Sequence, residues 1–146
     1  PEKNKVEPLE KDVPQPVSEK YKAGRLPDEE CKRLAKALKL MMENEKLYIN
    51  PNLRIGDLAA RLGVSSNNLS YLFNVHLQHS YYDYINDYRV IEFKKLVSQG
   101  MHNKYTLQVL MELSGFNSRA SFFRIFKKLH NITPKEYITR QEEGKK

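Results

Sequence analysis

The chain has 146 residues, 29% of them charged, with a formal net charge of +7 and a single cysteine. That length holds one domain without a large core. One cysteine excludes an internal disulfide and suits a reducing cytoplasm, no apolar run approaches the roughly 18 residues of a membrane span, and no secretory signal is visible. The excess charge is unevenly placed: residues 101–146 carry nine basic and four acidic side chains, so attraction to phosphate is expected mainly there.

Residues 1–27 read as a flexible linker. Pro1, Pro8, Pro14, Pro16 and Pro27 interrupt a polar, charged stretch too poor in large apolar residues to build a core. The start at Pro1 rather than methionine suggests a piece of a longer protein, with this stretch as its tether and with Tyr21 and Leu26 packing locally. A helix is expected from Asp28 to Asn44, with Leu34, Leu38, Met41 and Met42 on its inner side. Asp28, Glu29 and Glu30 suit its positive end, and Cys31 has a packing or surface role there.

Ile55, Leu58, Ala59 and Leu62 repeat at helical spacing and are followed by Gly63-Val64. A second helix is expected from Ser65 to Leu77, exposing Ser66, Asn67, Asn68, Ser70, Tyr71 and Asn74, with no Lys or Arg between Val64 and Ser80. Ser80 to Ser98 reads as one long helix with Tyr81, Tyr84, Ile85, Tyr88, Leu96 and Val97 among its apolar positions, stopped by Gly100. Thr106 caps a short helix that turns Leu107, Leu110 and Met111 inward, and Gly115 supplies a sharp turn.

Beyond that turn Ser118 caps a helix whose stripe is Phe122, Ile125, Phe126 and Leu129. Arg119, Arg124, Lys127 and Lys128 fall off the stripe and face outward. Thr133 and Pro134 start a last helix from which Tyr137 packs back. Two helices joined by a Gly-containing turn make a helix-turn-helix, with the second as the candidate reader of a DNA major groove. A solvated charged face on a core helix explains the cationic helix alone equally well.

The pattern occurs twice, however. Ile55, Leu58, Ala59, Leu62 and Gly63-Val64 match Leu107, Leu110, Met111, Ser114 and Gly115-Phe116 at an offset of 52. After one extra residue in the second turn, Ser65, Leu69, Tyr71 and Phe73 match Ser118, Phe122, Arg124 and Phe126 at 53. A repeated helix-turn-helix is a stronger signal than one copy. Catalysis has little support: His76 and His79 share a helix spacing, but no Cys or carboxylate cluster completes a metal site. No phosphate loop or nucleophile set is present. No enzyme, metal or cofactor is therefore expected.

From roughly Asp28 to Arg140 the chain resembles the AraC/XylS family of bacterial transcription regulators. The second half carries the resemblance through Gly115-Phe116, Ser118, Phe122, Arg124, Phe126-Lys127-Lys128, Thr133-Pro134 and Tyr137. The first half carries it through Leu58-Ala59, Leu69-Ser70, Phe73, Ser80, Tyr84 and Arg89. It implies an all-α, seven-helix DNA-binding domain over 28–141, with a disordered 142–146 tail. Two helix-turn-helix subdomains (28–79 and 104–141) are joined by a long central helix (80–99). Two recognition helices would then enter successive major grooves of double-stranded promoter DNA. Tyr21-Lys22, Leu26 to Glu30, Met41-Met42-Glu43, Tyr48, Asn74 and Asn86 are similar to a subgroup with a membrane-spanning sensor part upstream. Such a protein places this domain on the cytoplasmic side, contacts RNA polymerase, and can dimerise through the upstream part.

The exposed first two turns of the second reader hold Arg119, Ala120, Phe123 and Arg124 as base-contact candidates. By family position Arg119, Ala120 and Arg124 contact bases, while Ala120 and Phe123 depart from the more polar residues usual there. Phe123 suits a thymine methyl or packing between helices. On the first reader the candidates are Asn67, Asn68, Ser70 and Tyr71, the last standing where many relatives have arginine. An asparagine can pair bidentately with adenine. Phosphate-contact candidates are Arg54, Arg61, Ser65, Ser118, Lys127 and Lys128. Arg89 matches a family arginine with a structural role, pairing with carboxylates or carbonyls between subdomains. The neutral first reader leaves two alternatives open: specificity from the second motif only, or a protein–protein adaptor on a degenerate DNA-binding fold.

Overall fold

The computed structural model describes residues 26–144. Most of the expected linker, with Pro1 to Pro16 and Tyr21, and the last two residues of the expected tail lie outside them, while residues 142–144 of that tail are not disordered but continue the last helix. The described residues form seven α-helices and no strand: α1 Asp28–Glu45, α2 Ile55–Leu62, α3 Ser66–Tyr71, α4 Tyr81–Ser98, α5 Leu107–Leu113, α6 Arg119–His130 and α7 Pro134–Gly144. They divide into two compact units, one ending at Leu47 and resuming over Asn52–Ile85, the other comprising Tyr48–Pro51 and the chain from Asn86 onward. The division falls inside α4.

In the first unit α1 buries Cys31, Leu34, Leu38 and Met42, a helical stripe, while Met41 is only half-buried. Its first turn carries Asp28, Glu29 and Glu30, where unpaired backbone N–H groups favour negative charge. Ile55, Leu58 and Ala59 of α2, with Leu69, Leu72 and Phe73, complete an aliphatic core around one aromatic ring. The helix expected over Ser65–Leu77 is interrupted: α3 ends at Tyr71, and Leu72–His76 is a π turn in which the Leu77 N–H donates to the Leu72 carbonyl at 2.9 Å. A wider turn accommodates an extra residue, and consecutive Leu72 and Phe73 are both fully buried. Tyr81 and Tyr84 meet the Phe73 ring edge-on at 5.6 and 5.1 Å.

The second unit has an aromatic core. Phe93 lies 5.0 Å from Phe122 and 5.5 Å from Phe126, and Tyr137 packs back onto Phe126 at 5.5 Å. Leu129, expected on the buried stripe, is 44% exposed. His130, in the last turn of α6, covers the Phe126 ring at 4.8 Å, so the cluster is closed by His130 rather than by Leu129. Thr133 caps α7 reciprocally: its hydroxyl accepts from the Glu136 N–H at 3.1 Å while its own N–H donates to the Glu136 carboxylate at 2.8 Å. Those bonds hold the Glu136 carboxyl below its usual pKa, with the Thr133 N–H the first cause.

The short segment Tyr48–Pro51 is tied into this unit by Arg89. Its Nε donates to the Tyr48 carbonyl at 2.7 Å and its Nη2 to the Asn50 carbonyl at 3.0 Å. Arg89 thus satisfies carbonyls, as its structural assignment anticipates, but of a loop in its own unit. Tyr48 stacks on Tyr88 at 5.4 Å and donates its hydroxyl to buried Glu92 at 3.1 Å. Burial, then the Glu92 charge, pushes the Tyr48 phenol well above its ordinary pKa.

Candidate nucleic-acid interface

Each candidate reader is positioned by a turn built from the same backbone bonds. In the first, Gly63 has φ 72 and the Val64 N–H donates to the Ala59 carbonyl at 3.0 Å. In the second, Gly115 has φ 107 and the Phe116 N–H donates to the Met111 carbonyl at 3.1 Å. Glycine is needed because side chains crowd the backbone at positive φ. A serine then caps each reader. Ser65 Oγ accepts from the Asn68 N–H at 3.0 Å and Ser118 Oγ from the Ser121 N–H at 3.1 Å. Thr106 caps α5 by the same device, accepting from the Val109 N–H at 3.2 Å.

Helix α6 buries Phe122, Ile125 and Phe126 and exposes Arg119, Ala120, Arg124, Lys127 and Lys128. The four cations expected on the outer side from the sequence are therefore all exposed on this helix. Lys127, Lys128 and His130 occupy its last turn, where positive charge complements the carbonyl end. Asn131 ends it in the left-handed conformation at φ 61, its N–H donating to the Lys127 carbonyl at 2.7 Å. Phe123 is half-buried, edge-on to Phe122 at 5.7 Å. The Arg119 guanidinium lies 5.0 Å from the Phe123 ring centre, and its Nη1 donates to Gln108 Oε1 on α5 at 3.3 Å. Gln108 in turn donates to Glu112 at 2.8 Å. Sequence reasoning missed Gln108 and Glu112. Their i,i+4 spacing is readable in α5, but the eleven-residue step to Arg119 has no periodic signal.

On the first reader Ser66 and Asn67 are exposed and Asn68 is half-exposed. Ser70, Tyr71 and Asn74, all expected at the surface, are placed otherwise. Ser70 is buried, with its Oγ accepting from Asn74 at 3.2 Å; it shares the inner side of α3 with Leu69. Tyr71 is half-buried and faces a pocket with Leu26, Pro27, Asp28, Cys31, Val75 and His76, because Leu26, Pro27 and the start of α1 cover that side of the helix. Arg61 donates to both carboxylate oxygens of Glu45, at 2.6 and 2.8 Å, so its charge is largely offset in place. Arg54 is exposed, and its backbone N–H donates to Asp57 at the start of α2.

His76 lies 3.8 Å from the Asp28 carboxylate, and His79 sits beyond the π turn. Among the described residues no three His, Cys, Asp or Glu side chains are grouped to hold a metal ion. Burial, then the Asp28 and Glu30 charges, raises the Cys31 thiol above its usual pKa, the setting of a packed thiol rather than a reactive one. Among the described residues no helix is long and apolar enough to cross a membrane.

Two helix-turn-helix motifs, each with a capped second helix, define a helix-turn-helix DNA-binding protein. The helix-turn-helix domain family matches residues 58–140. The chain belongs to that family in its AraC form, a DNA-binding domain of transcription regulators. A protein of unknown function from Listeria innocua has a similar solved structure, 24% identical, covering 73% of this chain and 94% of that one with a TM-score of 0.60. That likeness concerns the fold. No curated protein matches the sequence.

Proposed function

We propose that the chain binds double-stranded DNA sequence-specifically, with α6 as its principal reader and α3 as a second, weaker one. The four exposed cations of α6, Arg119, Arg124, Lys127 and Lys128, carry this reading. Arg119 and Arg124 lie toward its N-terminal half, where a docked recognition helix meets base edges. An arginine there donates two bonds to guanine O6 and N7, worth about 1–3 kcal/mol of discrimination. Ala120 is small and exposed beside them, suited to a thymine methyl. Lys127, Lys128 and Ser118 serve phosphates, as do Ser65 and Arg54 beside the first reader. Arg61, already paired with Glu45, contributes less.

Asn67 and Asn68 are the base-reading candidates of α3. Burial of Ser70 and the inward turn of Tyr71 narrow its surface to its first turn. The domain acts as the output end of a longer regulator, with RNA polymerase as a partner and dimerisation through an upstream sensor part.

Selection of sites from a random duplex pool tests the proposal. A bipartite motif with half-elements about one helical turn apart means that both helices read bases. A single short motif assigns specificity to α6 alone. No enrichment, with binding indifferent to salt, defeats the proposal in favour of a protein–protein adaptor. A complex that contacts six or more phosphates loses orders of magnitude in affinity as salt rises from low to moderate.

A further inference from the structure

We infer that Gln108, on the first helix of the second motif, is a positioning residue that sets the Arg119 guanidinium for guanine reading, with Phe123 as the platform beneath it. The inference rests on the assignment of α6 as a reader and adds how one of its side chains is aimed.

A carboxylate only accepts hydrogen bonds and a guanidinium only donates them. Gln108 lies between one of each: Nε2 donates to Glu112 at 2.8 Å, and Oε1 accepts from Arg119 Nη1 at 3.3 Å. The orientation of the amide is therefore forced, its NH2 toward Glu112 and its oxygen toward Arg119. Glu112 stands one turn further along α5, at the i,i+4 spacing where such pairs meet. The Phe123 ring, 5.0 Å from the guanidinium carbon, restrains the group from a second direction.

Arginine loses much rotamer freedom when it is fixed on a base, and a side chain already held near its bound geometry loses less. Binding Gln108 through Nη1 leaves Nε and Nη2, the edge of the fork that matches two acceptors, for guanine O6 and N7. This also gives Phe123, an unusual residue for an outward position on a reader, a task on the protein rather than on the DNA. Ala120, next to Arg119 in the chain and exposed, carries only a methyl group and so no donor or acceptor that competes for the guanidinium.

The test compares base preferences of the wild-type chain with those of three variants, using duplexes altered one base pair at a time. Arg119→Ala first identifies the base pair read by Arg119. Gln108→Met keeps the length of the side chain and removes both hydrogen bonds. It should lower the preference for guanine at that base pair by about 3- to 10-fold, with preferences elsewhere and the salt slope unchanged. Phe123→Leu should lower the same preference by a smaller factor. Equal weakening on all duplexes by Gln108→Met would mean that Gln108 only supports α5, and a changed preference at a different base pair would mean that it reads a base itself. Either result overturns the inference, as does an unchanged profile. If Arg119→Ala removes no base preference, the assignment of Arg119 as a reader fails, and the inference falls with it.

Discussion

The two helix-turn-helix motifs share their backbone and differ in almost everything around it. Val64 bonds to Ala59 as Phe116 bonds to Met111, and Ser65 caps its helix as Ser118 does. Yet the first core is aliphatic around Phe73, whereas the second gathers Phe93, Phe122, Phe126 and Tyr137. The first reader is a six-residue helix running into a π turn, without lysine or arginine; the second has twelve residues and an outer row of four cations. A motif of this kind needs a turn of fixed hand, a cap and an apolar stripe. Those demands are local, so the core composition and the outer face are free to diverge between copies.

The sharpest difference is in the turns themselves. A Cβ on Gly115 would lie 2.3 Å from the Tyr48 carbonyl oxygen and 2.9 Å from Arg89 Nε, whereas one on Gly63 meets nothing within 4 Å. Gly63→Ala should therefore cost only the left-handed backbone term of about 1–2 kcal/mol. Gly115→Ala adds a clash with backbone and should exceed about 4 kcal/mol, or prevent folding of the second unit. Urea denaturation of both variants decides this, and equal losses would break the distinction between an open and a filled turn.

On the DNA side, Arg124→Ala should cost about 1–3 kcal/mol at one base position and relax specificity there. Asn67→Ala should change base preference less, in keeping with the narrower surface of α3. Duplex competition measures both, and a larger loss at Asn67 would reverse the proposed ranking of the readers. The serine caps offer a control in which the two motifs should behave alike. Ser65→Ala and Ser118→Ala each remove one bond to a first-turn N–H, and each should lower stability by about 1 kcal/mol in thermal melts.

Lys128→Ala should weaken binding to all duplexes and reduce the slope of log affinity against log salt by about one. A loss confined to one sequence would make Lys128 a base reader. The smallest effect concerns His130, 3.4 Å from Lys94. Burial, then the Lys94 charge, lowers its pKa below the ordinary 6.5. Between its folded value and 6.5 the unfolded chain binds more protons, so stability falls as pH drops through that window. His130→Gln should remove that part of the pH dependence in melts taken between pH 7 and pH 5, and an unchanged profile would assign it to other groups.

Much of the architecture was legible in the chain because it depends on neighbours in sequence. The caps at Ser65, Thr106, Ser118 and Thr133, the glycines at 63, 100 and 115 and the stripe Phe122, Ile125, Phe126 act within one or two turns. The cationic face of α6 followed from the same periodicity. Ser70, Tyr71 and Leu129 were misplaced because helical phase tells which side a residue is on, not what covers that side.

By itself the sequence determined the helices other than the break after Tyr71, their punctuation, the duplication and the family, since capping, glycine conformation and helical periodicity are local properties of the chain. Only the tertiary structure decided the rest. It paired Arg61 with Glu45, closed the aromatic cluster with His130 rather than Leu129, inserted the Tyr48 loop beside Gly115 and brought Gln108 to Arg119. Each of those joins residues with no fixed spacing, and their meeting is set by how the helices pack.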